Sequence, residues 1–299
     1  MGVDLIAASA EATRLFEVAD RATGLPITRL CAEGPLERLT ETDVAQPAVV
    51  TTSLAALAVL RSSVELVELG FNAVAGHSVG EYAAYVAVGV LDAQAALKLV
   101  HLRAQAMAAV CARVDGGMAA VIGLDQDALQ AACQTASHNG SSVELANLNA
   151  PGNLIVSGAR DALERVGVSA RAAGARRVLP LNVGGPFHSV YMRPVAEALS
   201  TALAGVDFRA ADVPVVLNVS AESAREPEQL RQELVVQVYS PVRWIESLGR
   251  LAAMGCDRFI EVGPGNVLSG LVRRTLPDVK VTSFGSMADL GAVRALLGA

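Results

Sequence analysis

Gly76-His77-Ser78-Val79-Gly80 reads G-x-S-x-G. Before it stands Phe71-Asn72-Ala73-Val74-Ala75, a short apolar run that follows Gly70. After it stands Glu81-Tyr82-Ala83-Ala84-Tyr85-Val86-Ala87-Val88, an alanine-rich helical stretch. Strand, glycine-flanked turn and helix make the setting of a nucleophile elbow, which holds a serine hydroxyl exposed on a strained turn. Glycines at 76 and 80 let strand and helix approach closely. The N-terminus of the helix favours negative charge developing beside Ser78. Glycines flank a serine by chance in a chain with 26 of them, so the strand before and the helix after carry the reading. It implies an α/β fold with Ser78 at the end of a strand.

The chain has 299 residues, room for one large domain or two modest ones. Apolar residues make up 52% and charged residues 18%, so a sizeable core forms and global disorder is excluded. A net charge of −6 argues against a nucleic-acid binder. Cys31, Cys111, Cys133 and Cys256 are widely spaced with no C-x-x-C pair. They suit reduced thiols in a cytoplasmic enzyme better than a disulfide framework or zinc site. No apolar run reads as long and uninterrupted enough for a membrane span. Asp4, Glu11, Arg14, Glu17 and Asp20 argue against a signal peptide over residues 1–20.

Leu5, Ile6, Ala8, Ala12, Leu15, Phe16 and Ala19 recur at helical spacing, and Leu25-Pro26 ends that helix. Residues 33–39 read as a turn with a short helix. Asp43 reads as the N-cap of a long helix toward Leu69, with Pro47 in its first turn. Asp92 caps another helix, running to about Cys111. On a helical wheel its apolar face holds Ala96, Leu99, Val100, Ala104, Met107, Val110 and Cys111, with Arg103 in the middle. A buried unpaired cation is costly. Two readings of Arg103 stand: a structural cation, ion-paired or reaching to solvent, or a group that binds an acidic substrate beside Ser78.

Residues 115–184 change rhythm. Strands read at 118–122, 143–147, 154–157 and 177–181, and helices at 125–136 and 160–173, with a turn at Ala150-Pro151-Gly152-Asn153. This is β-α-β-β-α-β, the order of a ferredoxin-like unit, inserted into a larger α/β pattern. Residues 1–114 and 185–299 then form an α/β-hydrolase-like large subdomain with a mostly parallel sheet. Its later strands read at 213–218, 258–261 and 279–284, between helices. The cleft between the two subdomains is the expected binding site.

A serine nucleophile needs a base, and the chain has four histidines. His77 adjoins Ser78 and projects differently. His101 lies on the polar side of its helix. His138 sits in the turn Ser137-His138-Asn139-Gly140. His188 follows a Gly-Gly-Pro turn and comes after the serine, as in α/β hydrolases. Elimination favours it over the alternative of a surface-loop histidine. No Asp or Glu stands out as a triad member, which leaves a backbone carbonyl to orient His188.

Six stretches occur in order over nearly the whole chain. They are Gly76-His77-Ser78-Val79-Gly80-Glu81-Tyr82, Leu102-Arg103, Ala146-Asn147-Leu148-Asn149-Ala150-Pro151-Gly152, Gly185-Pro186-Phe187-His188-Ser189, Gln237-Val238-Tyr239-Ser240-Pro241-Val242-Arg243-Trp244 and Glu261-Val262-Gly263-Pro264-Gly265. Together they resemble the malonyl-CoA:acyl-carrier-protein transacylase family, which includes the acyltransferase domains of fatty-acid and polyketide synthases. The resemblance implies that Ser78 is the acylated nucleophile and His188 its base. It implies that Arg103 clamps the malonyl carboxylate bidentately, with Asn149, Phe187 and His77 lining the substrate site. Phe187 is the malonyl-type choice where methylmalonyl enzymes carry a smaller residue. The Gln237 backbone carbonyl would orient His188, and the Val79 N–H would form half of the oxyanion hole. The implied reaction is ping-pong transfer from malonyl-CoA to the phosphopantetheine thiol of an acyl carrier protein. It needs no metal or redox cofactor, nucleic acid or membrane, and suits a cytoplasmic monomer.

One departure stands out. The family begins with a strand ending in a Gly-Gln-Gly-Ser-Gln turn, whose glutamine gives the second oxyanion N–H. Here Met1-Gly2-Val3-Asp4-Leu5 matches the family just beyond that turn. The expectation is that this start is not the native one, and that the chain as given is poorly stable and slow to acylate. A serine hydrolase or thioesterase, or a catalytically impaired acyltransferase-like module, is the competing reading. The basic pairs Arg176-Arg177 and Arg273-Arg274 are either solvated surface or contacts for an acidic carrier protein.

Overall fold

The computed structural model describes residues 1–64, 70–138 and 140–298. Helices α1 (Val3–Ala8) and α2 (Ala10–Thr23) divide at Ser9, whose side chain caps α2 by accepting the Ala12 N–H. The sequence pattern alone reads as one helix there. Gly24, at φ 68, ends α2. Helix α3 (Ile27–Glu33), not expected from the pattern, precedes α4 (Leu36–Leu39) and α5 (Thr42–Ser63).

Asp43 does not cap α5. Glu41 holds the cap position, and Asp43 lies in the first turn with both oxygens 2.8 Å from the Arg38 guanidinium. Pro47 sits inside the helix, beyond its first turn. Residues 65–69, where this helix was expected to end, and Asn139 of the expected turn lie outside the described residues. No charge interrupts α5 between Asp43 and Arg61. Contrary to the sequence reading, it is long and apolar enough by length and composition to cross a membrane. Most of that apolar surface is covered by protein, chiefly α2 and helix α7 (Ala93–Cys111). The larger core, with Leu5, Phe16, Val50, Leu97 and Val215 buried, gathers around these helices.

Strand β1 (Val74–Ala75) leads into the elbow and α6 (Gly80–Ala87). Asp92 caps α7 as expected, accepting the Ala95 N–H at 2.7 Å. Next come β2 (Gly116–Ile122), α8 (Gln126–Ala136), β3 (Val143–Ala150), β4 (Asn153–Ala159), α9 (Arg160–Ala172) and β5 (Arg177–Pro180). These four strands form one antiparallel sheet in the order β3-β4-β2-β5. Pairing of β2 with β4 runs unbroken from Gly116 opposite Ala159 to Ile122 opposite Asn153. The period-two alternation sorts side chains cleanly. Val121, Leu145 and Val156 join Leu129 and Val166 under the two helices. Met118, Ala120, Ala146 and Ile155 form the other face, against which Phe187 packs.

The chain continues with a 3₁₀ turn (Val190–Met192), α10 (Arg193–Leu203), β6 (Val215–Val216), β7 (Ser223–Ala224) and α11 (Pro227–Val236). A second 3₁₀ turn (Gln237–Tyr239), α12 (Trp244–Ala253), β8 (Arg258–Val262), α13 (Val267–Thr275), β9 (Lys280–Phe284) and α14 (Leu290–Leu297) complete it. Among the described residues the large lobe does not hold one mostly parallel sheet. β1 pairs parallel with β6, β6 pairs antiparallel with β7, and β8 and β9 form a separate parallel pair. The strand expected over 213–218 narrows to two paired residues: beyond them the Leu217 N–H donates to the Glu222 carbonyl, and the Asn218 N–H donates to the Glu81 carboxyl while its carbonyl accepts the Arg243 N–H.

Candidate active site

The elbow is held from beneath. Ser78 has φ 51, a conformation that costs a non-glycine residue about 1–3 kcal/mol unless its surroundings fix it. Its N–H donates to Asn218 Oδ1 at 2.7 Å, and Asn218 Nδ2 donates to the Gly76 carbonyl at 2.6 Å. Gln237 Nε2 donates to the Ser78 carbonyl at 2.9 Å. A Cβ on Gly76 would stand 2.1 Å from the Gly80 carbonyl carbon, whereas one on Gly80 meets nothing within 4 Å. Only the first glycine is required by close approach, which corrects the symmetrical reading of the motif.

His188, also left-handed at φ 57, is buried with Nε2 2.8 Å from Ser78 Oγ. Its Nδ1 lies 2.9 Å from the Gln237 carbonyl oxygen and 3.2 Å from that of Ser240. Carbonyls only accept, so Nδ1 carries the hydrogen and Nε2 presents its lone pair to the serine hydroxyl. Burial first, and then the Arg103 charge, push the imidazole down to about 3, so it rests neutral. The group that orients this base is a backbone carbonyl, not a carboxylate. His77 has another job. It bonds Asn149 Oδ1 through Nε2 at 2.9 Å and meets the Trp244 ring edge-on at 5.3 Å. Burial keeps it neutral as well.

Arg103 is 1% exposed on α7. Its Nη2 donates to Ser78 Oγ at 3.0 Å and to Gln237 Oε1 at 3.2 Å, and its Nη1 donates to Gln46 Oε1. Among the described residues no carboxylate forms an ion pair with it, and its Nε has no partner. Neither a structural ion pair nor a side chain reaching to solvent describes it. Guanidinium keeps its charge even when buried, so a buried cation stands beside the nucleophile with neutral partners only.

Behind this trio lie residues the sequence reading did not single out. Glu81 accepts Gln237 Nε2 at 2.6 Å on one oxygen and the Asn218 N–H at 2.8 Å on the other. Glu233 accepts the Val219 N–H at 2.8 Å. Burial, followed for Glu81 by repulsion from Glu233, raises both carboxyls, Glu233 to about 7. Glu81 lies within the stretch Gly76–Tyr82, and for Gln237 the sequence points to the backbone carbonyl alone. Gln46 and Asn218 gave no local signal, since their partners lie far away in the chain.

A cleft of about 460 Å³ opens over Ser78 and His188 between the lobes. Phe187, His77, Asn149, Met118, Ile155 and Val267 of α13 line it. Val79 directly precedes α6, and among the described residues nothing accepts its N–H. Arg176, Arg177, Arg273 and Arg274 are exposed. Among the described residues no cluster of three or more His, Cys, Asp or Glu is placed to hold a metal ion.

A family model for the acyl transferase domain matches residues 1–295. The malonyl CoA-acyl carrier protein transacylase of Bacillus subtilis is 42% identical over 274 residues, covering 92% of this chain and 85% of that protein. The crystal structure of an acyl carrier protein S-malonyltransferase from Vibrio cholerae superimposes with TM-score 0.92 at 38% identity, covering 98% of this chain and 94% of that one. A malonyl-transacylase solved in complex with its type II polyketide-synthase acyl carrier protein matches with TM-score 0.94 at 35% identity, over 100% of this chain and 95% of that one.

Proposed function

The chain belongs to the acyl transferase domain family, and from that premise we propose that it moves a malonyl group from malonyl-CoA to the phosphopantetheine thiol of an acyl carrier protein. The setting is fatty-acid or polyketide synthesis. His188 Nε2 takes the Ser78 hydroxyl proton as Oγ attacks the thioester carbonyl. The Val79 N–H, at the start of α6, receives the developing oxyanion. Coenzyme A leaves as the thiol, taking the proton from His188. The carrier thiol then gives its proton to His188 and attacks the seryl ester, and the malonyl group departs with Ser78 Oγ reprotonated. The Gln237 carbonyl holds the imidazole tautomer throughout. Asn149, Phe187 and His77 shape the cleft around the acyl chain.

The observation that carries this reading is Arg103 Nη2 at 3.0 Å from Ser78 Oγ, buried and held by neutral partners. A malonyl group sets a carboxylate one methylene from the carbonyl under attack, so its binding site needs a cation next to the nucleophile. A general serine hydrolase has no use for one. We read residues 1–114 and 185–299 as an α/β-hydrolase-like lobe and residues 115–184 as a ferredoxin-like insertion. The enzyme acts as a cytoplasmic monomer without a metal or redox cofactor.

The test is acylation of Arg103→Ala by malonyl-CoA and by acetyl-CoA. Loss of the charged partner lowers malonyl transfer by roughly a thousandfold while acetyl transfer is kept or raised. Equal loss with both substrates contradicts the reading. Release of free malonate faster than transfer to carrier protein makes the chain a thioesterase.

A further inference from the structure

The buried groups behind the nucleophile form a directed chain of hydrogen bonds, and its direction is set at one end. Glu81 lies in the first turn of α6, fully buried. One of its oxygens accepts the Asn218 N–H at 2.8 Å, and the other accepts Gln237 Nε2 at 2.6 Å. A carboxylate offers acceptors only, so the Gln237 amide must turn its NH₂ toward Glu81 and its oxygen away. That oxygen, Gln237 Oε1, receives Arg103 Nη2 at 3.2 Å. The second hydrogen of the same NH₂ goes to the Ser78 carbonyl at 2.9 Å. Asn218, fixed by Glu81 through its backbone, ties the Ser78 N–H and the Gly76 carbonyl together.

We propose that Glu81 is a positioning residue for acyl-group selectivity: by fixing the Gln237 amide it aims the Arg103 guanidinium at the carboxylate of an incoming acyl group. This rests on the malonyl reading above. Glu81 touches neither substrate nor reacting atoms and acts through Gln237. Its neighbour Glu233 bonds neither Gln237 nor Arg103: its bonded oxygen accepts the Val219 N–H. The two carboxyls repel one another in the core, so one proton shared by the pair relieves that repulsion. The Asn218 N–H, the Gln237 amide and the Arg103 charge all favour the ionised form of Glu81, against the burial and repulsion that raise it.

Glu81→Gln separates this role from mere burial. The new amide keeps the bond to the Asn218 N–H and turns its NH₂ on the Gln237 NH₂, donor against donor. If Gln237 flips, it sets NH₂ against Arg103 and oxygen against the Ser78 carbonyl. Either arrangement loses the aim of the guanidinium. Glu233→Gln replaces the other carboxyl of the same core and leaves the bond between Glu81 and Gln237 in place. The experiment measures kcat/KM with malonyl-CoA and acetyl-CoA, together with melting temperature, for the parent chain and both variants. The malonyl-to-acetyl ratio falls on the order of tenfold or more in Glu81→Gln and stays at the parent value in Glu233→Gln. Gln237→Met, which keeps the backbone carbonyl and removes the amide, reproduces the loss of ratio and serves if Glu81→Gln does not fold. A parent chain without malonyl preference sinks the malonyl reading itself. A parent chain with that preference, retained in Glu81→Gln or in Gln237→Met, overturns the role of Glu81. So does an equal fall in both Glu variants.

Discussion

The four-stranded sheet β3-β4-β2-β5 and the region around the elbow solve opposite problems. In that sheet every strand runs four residues or more, and β2 matches β4 residue for residue along its length. In the large lobe the strands beneath the nucleophile are two residues long. There the backbone is held by side chains: Asn218 and Gln237 take up the polar groups that a ladder would otherwise satisfy. Of the three non-glycine residues with positive φ among the described residues, two, Ser78 and His188, are the reacting pair. The regular lobe supplies a wall, and the irregular lobe supplies the chemistry. Strain and buried charge are tolerated where a network over-determines them.

The comparison can be broken most severely at the base. His188→Ala should slow seryl acylation by roughly a hundred- to ten-thousandfold, measured by the rate of the malonyl adduct in intact-mass spectra. Next comes the elbow. Gly76→Ala has no room, with its Cβ 2.1 Å from the backbone of Gly80, and should cost roughly 3 kcal/mol or more in denaturant unfolding. Gly80→Ala, with open space at that position, should stay within about 1 kcal/mol of the parent. A core truncation in the insertion, Leu129→Ala, should cost about 2–5 kcal/mol of stability. The folded fraction should still acylate Ser78 at close to the parent rate. If Leu129→Ala destroys acylation in molecules that remain folded, the wall takes part in the chemistry and the division of labour fails.

The smallest effect is in pH. His188 must be neutral to act, and its ionisation is pushed down to about 3. Acylation by malonyl-CoA should therefore not fall as pH drops from about 8 to about 5. Arg103 is the second cause of that depression, so removing its charge raises the imidazole. Arg103→Ala, assayed with acetyl-CoA, should show its acid limb at higher pH than the parent. For stability the sign runs the same way: the unfolded chain binds the His188 proton first, so this group destabilises the fold as pH falls below about 6.5. Glu233, raised to about 7, works in the opposite sense. The folded state holds its proton more tightly, so this group's contribution is lost as pH rises toward 7.

How far the chain could be read in advance follows the same division. The elements over residues 115–184 are legible because each is governed by its own periodicity. The helix expected at 160–173 is α9 at Arg160–Ala172, and the strands at 118–122 and 177–181 match β2 and β5 to within two residues. The same logic exposed Arg103, since one cation in the middle of an apolar helical face is visible without a structure. What could not be read was long-range. Gln46 meets Arg103 across 57 positions and Gln237 meets Glu81 across 156, and nothing local marks such pairs. Asp43 has the right type and place for a cap, yet Arg38 takes it. The long strand expected over 213–218 is cut short because the backbone N–H of Asn218 goes to the distant Glu81 carboxyl.

The measurement that bears most directly on the account is intact-mass and peptide mapping of the chain after brief mixing with malonyl-CoA, beside Ser78→Ala. A single malonyl ester on Ser78, absent from Ser78→Ala and discharged by holo acyl carrier protein but not by water alone, is the predicted result. An adduct that persists in Ser78→Ala, or a seryl ester that water clears as fast as the carrier thiol does, would contradict it.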